Sequence, residues 1–161
     1  MNPRHLPHLV RRFFGSFAAR RPSPAEQQWL ADRLDGAAAR LFFAQDALDQ
    51  AHAVATARRV ARAAPGRDDL VRAALLHDVG KTISGLGVMG RSIASLLAIA
   101  HLPAPPRMRQ YLDHGRIGAE VLGGVGEPAL TVAFARSHHD PGAPAGIASA
   151  DWETLHSADA E

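Results

Sequence analysis

The chain has 161 residues, enough for one domain with a real core. Hydrophobic residues make up 47%, which excludes a disordered chain, and the lack of cysteine excludes disulfides, zinc ribbons and thiol nucleophiles. The formal net charge is only +2, but residues 1–21 hold Arg4, Arg11, Arg12, Arg20 and Arg21 with no acid, so the remainder is mildly negative.

In chain order, the first segment reads as a solvated basic arm, able to contact an anionic surface or a protein partner. No basic groove interleaved with aromatics accompanies it, so nucleic acid is not expected. The stretch RRFFGSF has only a superficial likeness to a twin-arginine export signal, because AARRPSP follows where a long apolar run should. Pro22, Ser23 and Pro24 then mark the start of a short helix, AEQQWLADRL. Residues 36–64 predict one or two helices, the second starting near Asp46 and Asp49 and ending with Arg58, Arg59 and Arg62 before Pro65-Gly66. Asp68 or Asp69 is the expected cap of LVRAALLHDV, with Gly80 as its stop. A helix from about Val88 to Ala100 comes next, and its apolar run is too short to cross a bilayer. HLPAPPRMR reads as a connector, followed by helices near residues 112–123, 128–139 and 151–159. Strand signals are nearly absent. The expected fold is all-α, with residues 1–35 as a basic helical N-terminal extension and residues 36–161 as one helical domain. No transmembrane segment is expected, and the composition suits a cytoplasmic protein.

Histidines recur on inward faces at i, i+3, i+4 and i+7 spacing. His77 shares a face with Leu70, Ala73 and Ala74, and His114 with Ile117, Gly118 and Val121. His138 aligns with Leu130 and Phe134, while on a continuous helix His139 is rotated about 100° away. His52 lies with Leu48 and Ala55, and Asp159 follows Trp152 and Leu155. A buried carboxylate is costly unless paired or bound to a metal. Arginine could balance Asp78 and Asp159, but the arginines cluster at helix ends and outer faces. A metal is the economical alternative, and imidazole with carboxylate and no sulfur suits iron, manganese, cobalt or zinc. Lys81 is the single lysine among 18 Lys and Arg residues, so its place three residues after His77-Asp78 suggests a need for a compact ammonium. GLGVMG, residues 85–90, satisfies G-x-G-x-x-G but lacks the strand and βαβ unit of a nucleotide fingerprint, and reads as a flexible turn.

Taken together, AH at His52, LLHDVGK at His77-Asp78, YLDHGRIGAEVL at His114, ARSHHD at His138-His139 and LHSADAE at Asp159 resemble the HD superfamily of metal-dependent phosphohydrolases. The resemblance covers residues 45–161, and the order H…HD…H…H…D resembles the two-metal subset. It implies an HD-domain helical bundle and two divalent ions. His52, His77, Asp78 and Asp159 would bind the first, and His114 and His138 the second, with Asp78 bridging. It also implies catalytic roles for Asp78 and Lys81, the latter holding substrate phosphate, and a metal or substrate contact for His139. The GYP triplet of the cyclic-dinucleotide branch is absent, with HHDPGAP near its place. The implied activity is hydrolysis of a nucleotide or other phosphate ester by a metal-activated water. Two alternatives share the ligand set: a di-iron oxygenase of the same fold, and a non-catalytic nucleotide-binding or regulatory domain.

Overall fold

The structure is a computed structural model that describes residues 21–160. The arginine-rich segment that reads as a basic arm lies almost wholly outside them. The described residues form α1 (Pro24–Ala31), α2 (Gly36–Ala44), α3 (Ala47–Ala63), α4 (Asp68–Leu76), the single turn α5 (Lys81–Ser84), α6 (Val88–Ile99), α7 (Pro106–Leu112), α8 (His114–Gly124), α9 (Ala129–Ser137) and α10 (Ser149–Ala160). No strand occurs among them, and the all-α expectation holds.

Local chemistry sets several helix starts. Ser23 caps α1 in a capping box with Glu26, and Pro24 occupies the first turn, where a missing N–H costs nothing. Asp46 caps α3 by accepting from the Asp49 N–H at 2.9 Å. α4 departs from expectation. Its cap position is Arg67, and Asp68 and Asp69 lie in the first helical turn. There the Asp69 carboxylate receives two hydrogen bonds from the Arg67 guanidinium, at 2.8 and 2.9 Å, and faces the positive end of the helix dipole. The proline-rich stretch is also not connector throughout, since Pro106 starts α7 within it.

α4 is the central element. It packs between α3 and α9 and also touches α2 and α10. Leu70, Val71, Leu75 and Leu76 are fully buried and join Phe42, Val60, Leu122, Phe134 and Leu155 in one core. Leu30 of α1 and Leu34 belong to the same core. No single helix among the described residues is long and apolar enough to cross a membrane.

Gly80 does not stop α4, which ends at Leu76. Residues 77–80 continue through tight turns, with Val79 N–H donating to Leu76 O and Lys81 N–H to Asp78 O. Gly80 is needed for another reason. A Cβ there would lie 2.0 Å from the carbonyl oxygen of His114 and 2.6 Å from the Gly118 nitrogen. The absent side chain lets α8 cross directly over the His77-Asp78 turn. Gly85, at φ +57°, closes α5 in the left-handed conformation that favours glycine.

Candidate metal centre

Three histidines are presented in one way. His77 follows the last residue of α4, His138 follows the last residue of α9, and His114 comes two residues after the end of α7. In each case the ring Nδ1 lies against the carbonyl oxygen three residues earlier. The distances are 2.8 Å for His77 to Ala74, 2.6 Å for His114 to Tyr111 and 2.9 Å for His138 to Ala135. A carbonyl only accepts, so Nδ1 carries the proton and a neutral ring turns the Nε2 lone pair inward. The helix ends thus satisfy their own free carbonyls while fixing tautomer and orientation, as the outer partners of metal-bound histidines do.

The carboxylates stand between these rings. Asp78 is buried, with Oδ2 3.4 Å from His77 Nε2 and Oδ1 3.3 and 3.5 Å from the Nε2 atoms of His114 and His138. Its two oxygens therefore face two different groups of imidazoles. Asp159 Oδ1 lies 2.8 Å from His52 Nε2 and 3.1 Å from His77 Nε2. His139 Nε2 lies 3.0 Å from His114 Nε2. All seven residues singled out as ligand candidates, His52, His77, Asp78, His114, His138, His139 and Asp159, are brought into one cluster. Three triads within it have ligand atoms mutually within 4.8 Å: His52–His77–Asp78, His77–His138–Asp159 and His114–His138–His139.

His139 is the point at which face reasoning misled. α9 ends at Ser137, and the Asp140 N–H turns back onto the Ser137 carbonyl at 2.6 Å. The 100° rotation of a continuous helix does not apply beyond that turn, and both rings of the pair reach the cluster.

The electrostatics favour a cation. Burial opposes a charged His77, but the carboxylates of Asp78 and Asp159 outweigh it and raise its pKa to about 10. Burial likewise works against ionised Asp78, and the cations of Lys81 and His77 reverse this and hold it well below the usual carboxylate range. Asp159 is held low in the same way, by His77 and His52 against desolvation. His138 is pushed down, chiefly by burial, which keeps its ring neutral. Positive charge is thus drawn to this spot, supplied by a proton on His77 Nε2 or by a metal ion that takes the proton's place. His77 Nε2, Asp78 Oδ1 and His138 Nε2 are buried without a hydrogen bond of good geometry, held only by the ion-pair approaches given above, and all three point into the cluster. An orphaned buried polar atom costs on the order of 1–3 kcal/mol. Nitrogen and oxygen donors arranged in this way fit divalent transition-metal ions, and the cluster could hold them.

Lys81 is buried on the first residue of α5. Its ammonium is hydrogen-bonded to Asp78 Oδ2 and lies 3.9 Å from Asp49 Oδ1. Asp49 is a residue that sequence reasoning did not place here. Its carboxylate is buried and its pKa is raised by desolvation, although Lys81 and Arg91 work against that. Arg91 reaches from α6 to Asp49 at 2.6 Å and to Asp46 at 2.9 Å, with its side chain 11% exposed. The expectation that arginines keep to outer faces therefore fails for Arg91. A signal was available: Asp49 stands three residues before His52 on α3, the spacing that puts both on one side of a helix. Asp151, by contrast, belongs to a separate surface pair with Arg67 at 2.9 Å.

No curated protein and no solved structure matches the chain. The family model described as the HD domain matches residues 50–158, a span that takes in His52, the His77-Asp78 pair, His114, His138 and His139 and stops one residue short of Asp159. With about two thirds of its length covered by that match, the chain belongs to the HD domain family.

Proposed function

We propose that this HD domain protein is a metal-dependent phosphohydrolase acting on a nucleotide or another phosphate ester. The observation that carries the reading is the convergence on one buried spot of His77 Nε2, Asp78 Oδ1 and His138 Nε2, none of them in a hydrogen bond of good geometry. His52, His77, Asp78 and Asp159 would hold one divalent ion. His114 and His138 would hold a second, with Asp78 shared through its two oxygens and His139 as a further ligand or a substrate contact. Such ions acidify water and draw electron density from phosphoryl oxygens.

The chain's own residues supply the rest. The three Nδ1–carbonyl bonds fix the imidazoles before substrate arrives, so no reorganisation is needed at reaction. Lys81 offers a compact cation at the edge of the acidic groups, placed to meet the charge that grows on a phosphoryl group. Asp49 and Arg91 hold the ground around that ammonium. The preferred substrate class is a phosphate mono-ester or anhydride, for which ions held by this donor set would supply an acidified water and Lys81 a cation for the phosphoryl charge.

The test is a hydrolysis screen of nucleotides and a generic aryl phosphate with manganese, iron, cobalt or zinc supplied in turn. Phosphate release should depend on added metal and fall by about 10²-fold or more in His77→Ala and Asp78→Ala, as when a major electrostatic group is removed. Lys81→Ala should lower turnover while leaving metal content intact. Undiminished turnover in metal-free His77→Ala protein would refute the reading.

A further inference from the structure

Nine large hydrophobic residues are exposed among those described, and six of them fall between residues 83 and 102. Met89 is 65% exposed, Ile93 44%, Leu96 57% and Ile99 58%; Leu102 just past α6 and Ile83 on α5 are exposed as well. On α6, Met89, Ile93, Leu96 and the exposed Ala100 that follows the helix repeat at spacings of four, three and four. This is the seam along which two helices interlock. The opposite side of α6 carries its one buried residue, Ala94. The helix holds a single ionisable side chain, Arg91, and that is turned inward to Asp46 and Asp49.

From this we infer that the α6 face pairs with α6 of a second copy of the chain across a two-fold axis. The patch is on the order of 600 Å², at the top of the range for the largest apolar patch of a monomer. With a polar rim added it approaches the roughly 800 Å² per partner of a stable interface. An uncharged, regularly spaced stripe is complementary to itself, as a two-fold interface requires, and sets no charge against its copy. A helix lying on a lipid surface would instead carry a cation-rich polar face, and α6 has only the internally paired Arg91. The pairing would fix α6 from outside while its inner side delivers Arg91 beside Asp49 and Lys81.

The experiment is sedimentation velocity on the full chain across a range of concentrations, with thermal melts of every variant. The wild type should sediment as a dimer. Leu96→Glu, at an exposed site, should give a monomer that still melts in one cooperative transition, at or below the wild-type temperature because the partner's stabilisation is lost. Leu96→Gln, which adds no charge, should raise the dimer dissociation constant by about tenfold or more. Val125→Glu, at an exposed apolar residue outside the patch, should stay dimeric. A wild type that is monomeric at every concentration would overturn the inference, as would a Leu96→Glu protein that dimerises like wild type. A monomeric wild type that floats with anionic lipid vesicles would assign the face to a membrane and equally overturn it.

Discussion

Asp78 and His77 are each held by several groups at once, and single substitutions there separate structure from function. His77→Ala removes a ring whose Nδ1 is tied to Ala74 and whose Nε2 faces two carboxylates. The loss leaves Asp78 and Asp159 short of a neutralising partner, so the metal-free variant should be less stable as well as metal-poor; melting and elemental analysis of the same sample check both. Gly80→Ala is the sharper probe. Its Cβ would collide with backbone of α8 at His114 and Gly118, where nothing flexible can yield. We expect a loss of about 1–3 kcal/mol by chemical denaturation, the usual cost of overpacking, together with weakened metal binding because α8 carries His114. Much of the cluster was legible at this scale. His52, His77, Asp78, His114, His138 and Asp159 recur as polar residues on apolar faces, which burial alone cannot explain. Asp49 was passed over despite its spacing from His52, because an acid in the first turn of a helix is already accounted for by the helix dipole. The ring position of His139 was not legible because the exact end of α9 decides where it points, and helix ends are the least readable feature of a sequence.

Helix ends are also the operative feature at the scale of elements. α4, α7 and α9 each terminate beside a histidine of the cluster, so the position of each ring depends on how its helix packs. Phe134 illustrates this. Its ring lies 5.8 Å from His77, 6.0 Å from His138 and 5.9 Å from Trp152, centroid to centroid, and is fully buried. Phe134→Ala should cost about 3–5 kcal/mol in a denaturation experiment and loosen both imidazoles at once. The start of α4 makes a pH prediction. Hydrogen bonds from Arg67 outweigh the opposing effect of partial desolvation and lower the Asp69 pKa from its usual 3.8. A carboxylate depressed on folding contributes stability above its unfolded pKa, and that contribution is lost as pH falls through the folded value. Wild type should therefore outmelt Asp69→Ala at neutral pH, with the gap closing below about pH 4. The boundaries of α1, α3 and α6 were readable from Ser23, Pro24, Asp46 and the apolar run after Gly87. That of α7 was not, because the prolines that signal a connector also suit a helix's first turn.

At the scale of the whole molecule, one core gathers the helices so that their ends meet at the buried cluster, and α1 contributes Leu30 to it as fully as α4 contributes Leu75. The all-α class followed from the near absence of strand signals. The convergence itself could only be inferred, because no local pattern states which helix ends meet. The most direct measurement is the divalent metal content per chain of wild type and His77→Ala, each stripped, reloaded with manganese, iron, cobalt or zinc, and dialysed. We expect the wild type to retain two ions of at least one of these metals and His77→Ala to lose them. A wild type that retains none, or a variant that retains as much as wild type, would contradict a metal-binding cluster built on His77 and Asp78.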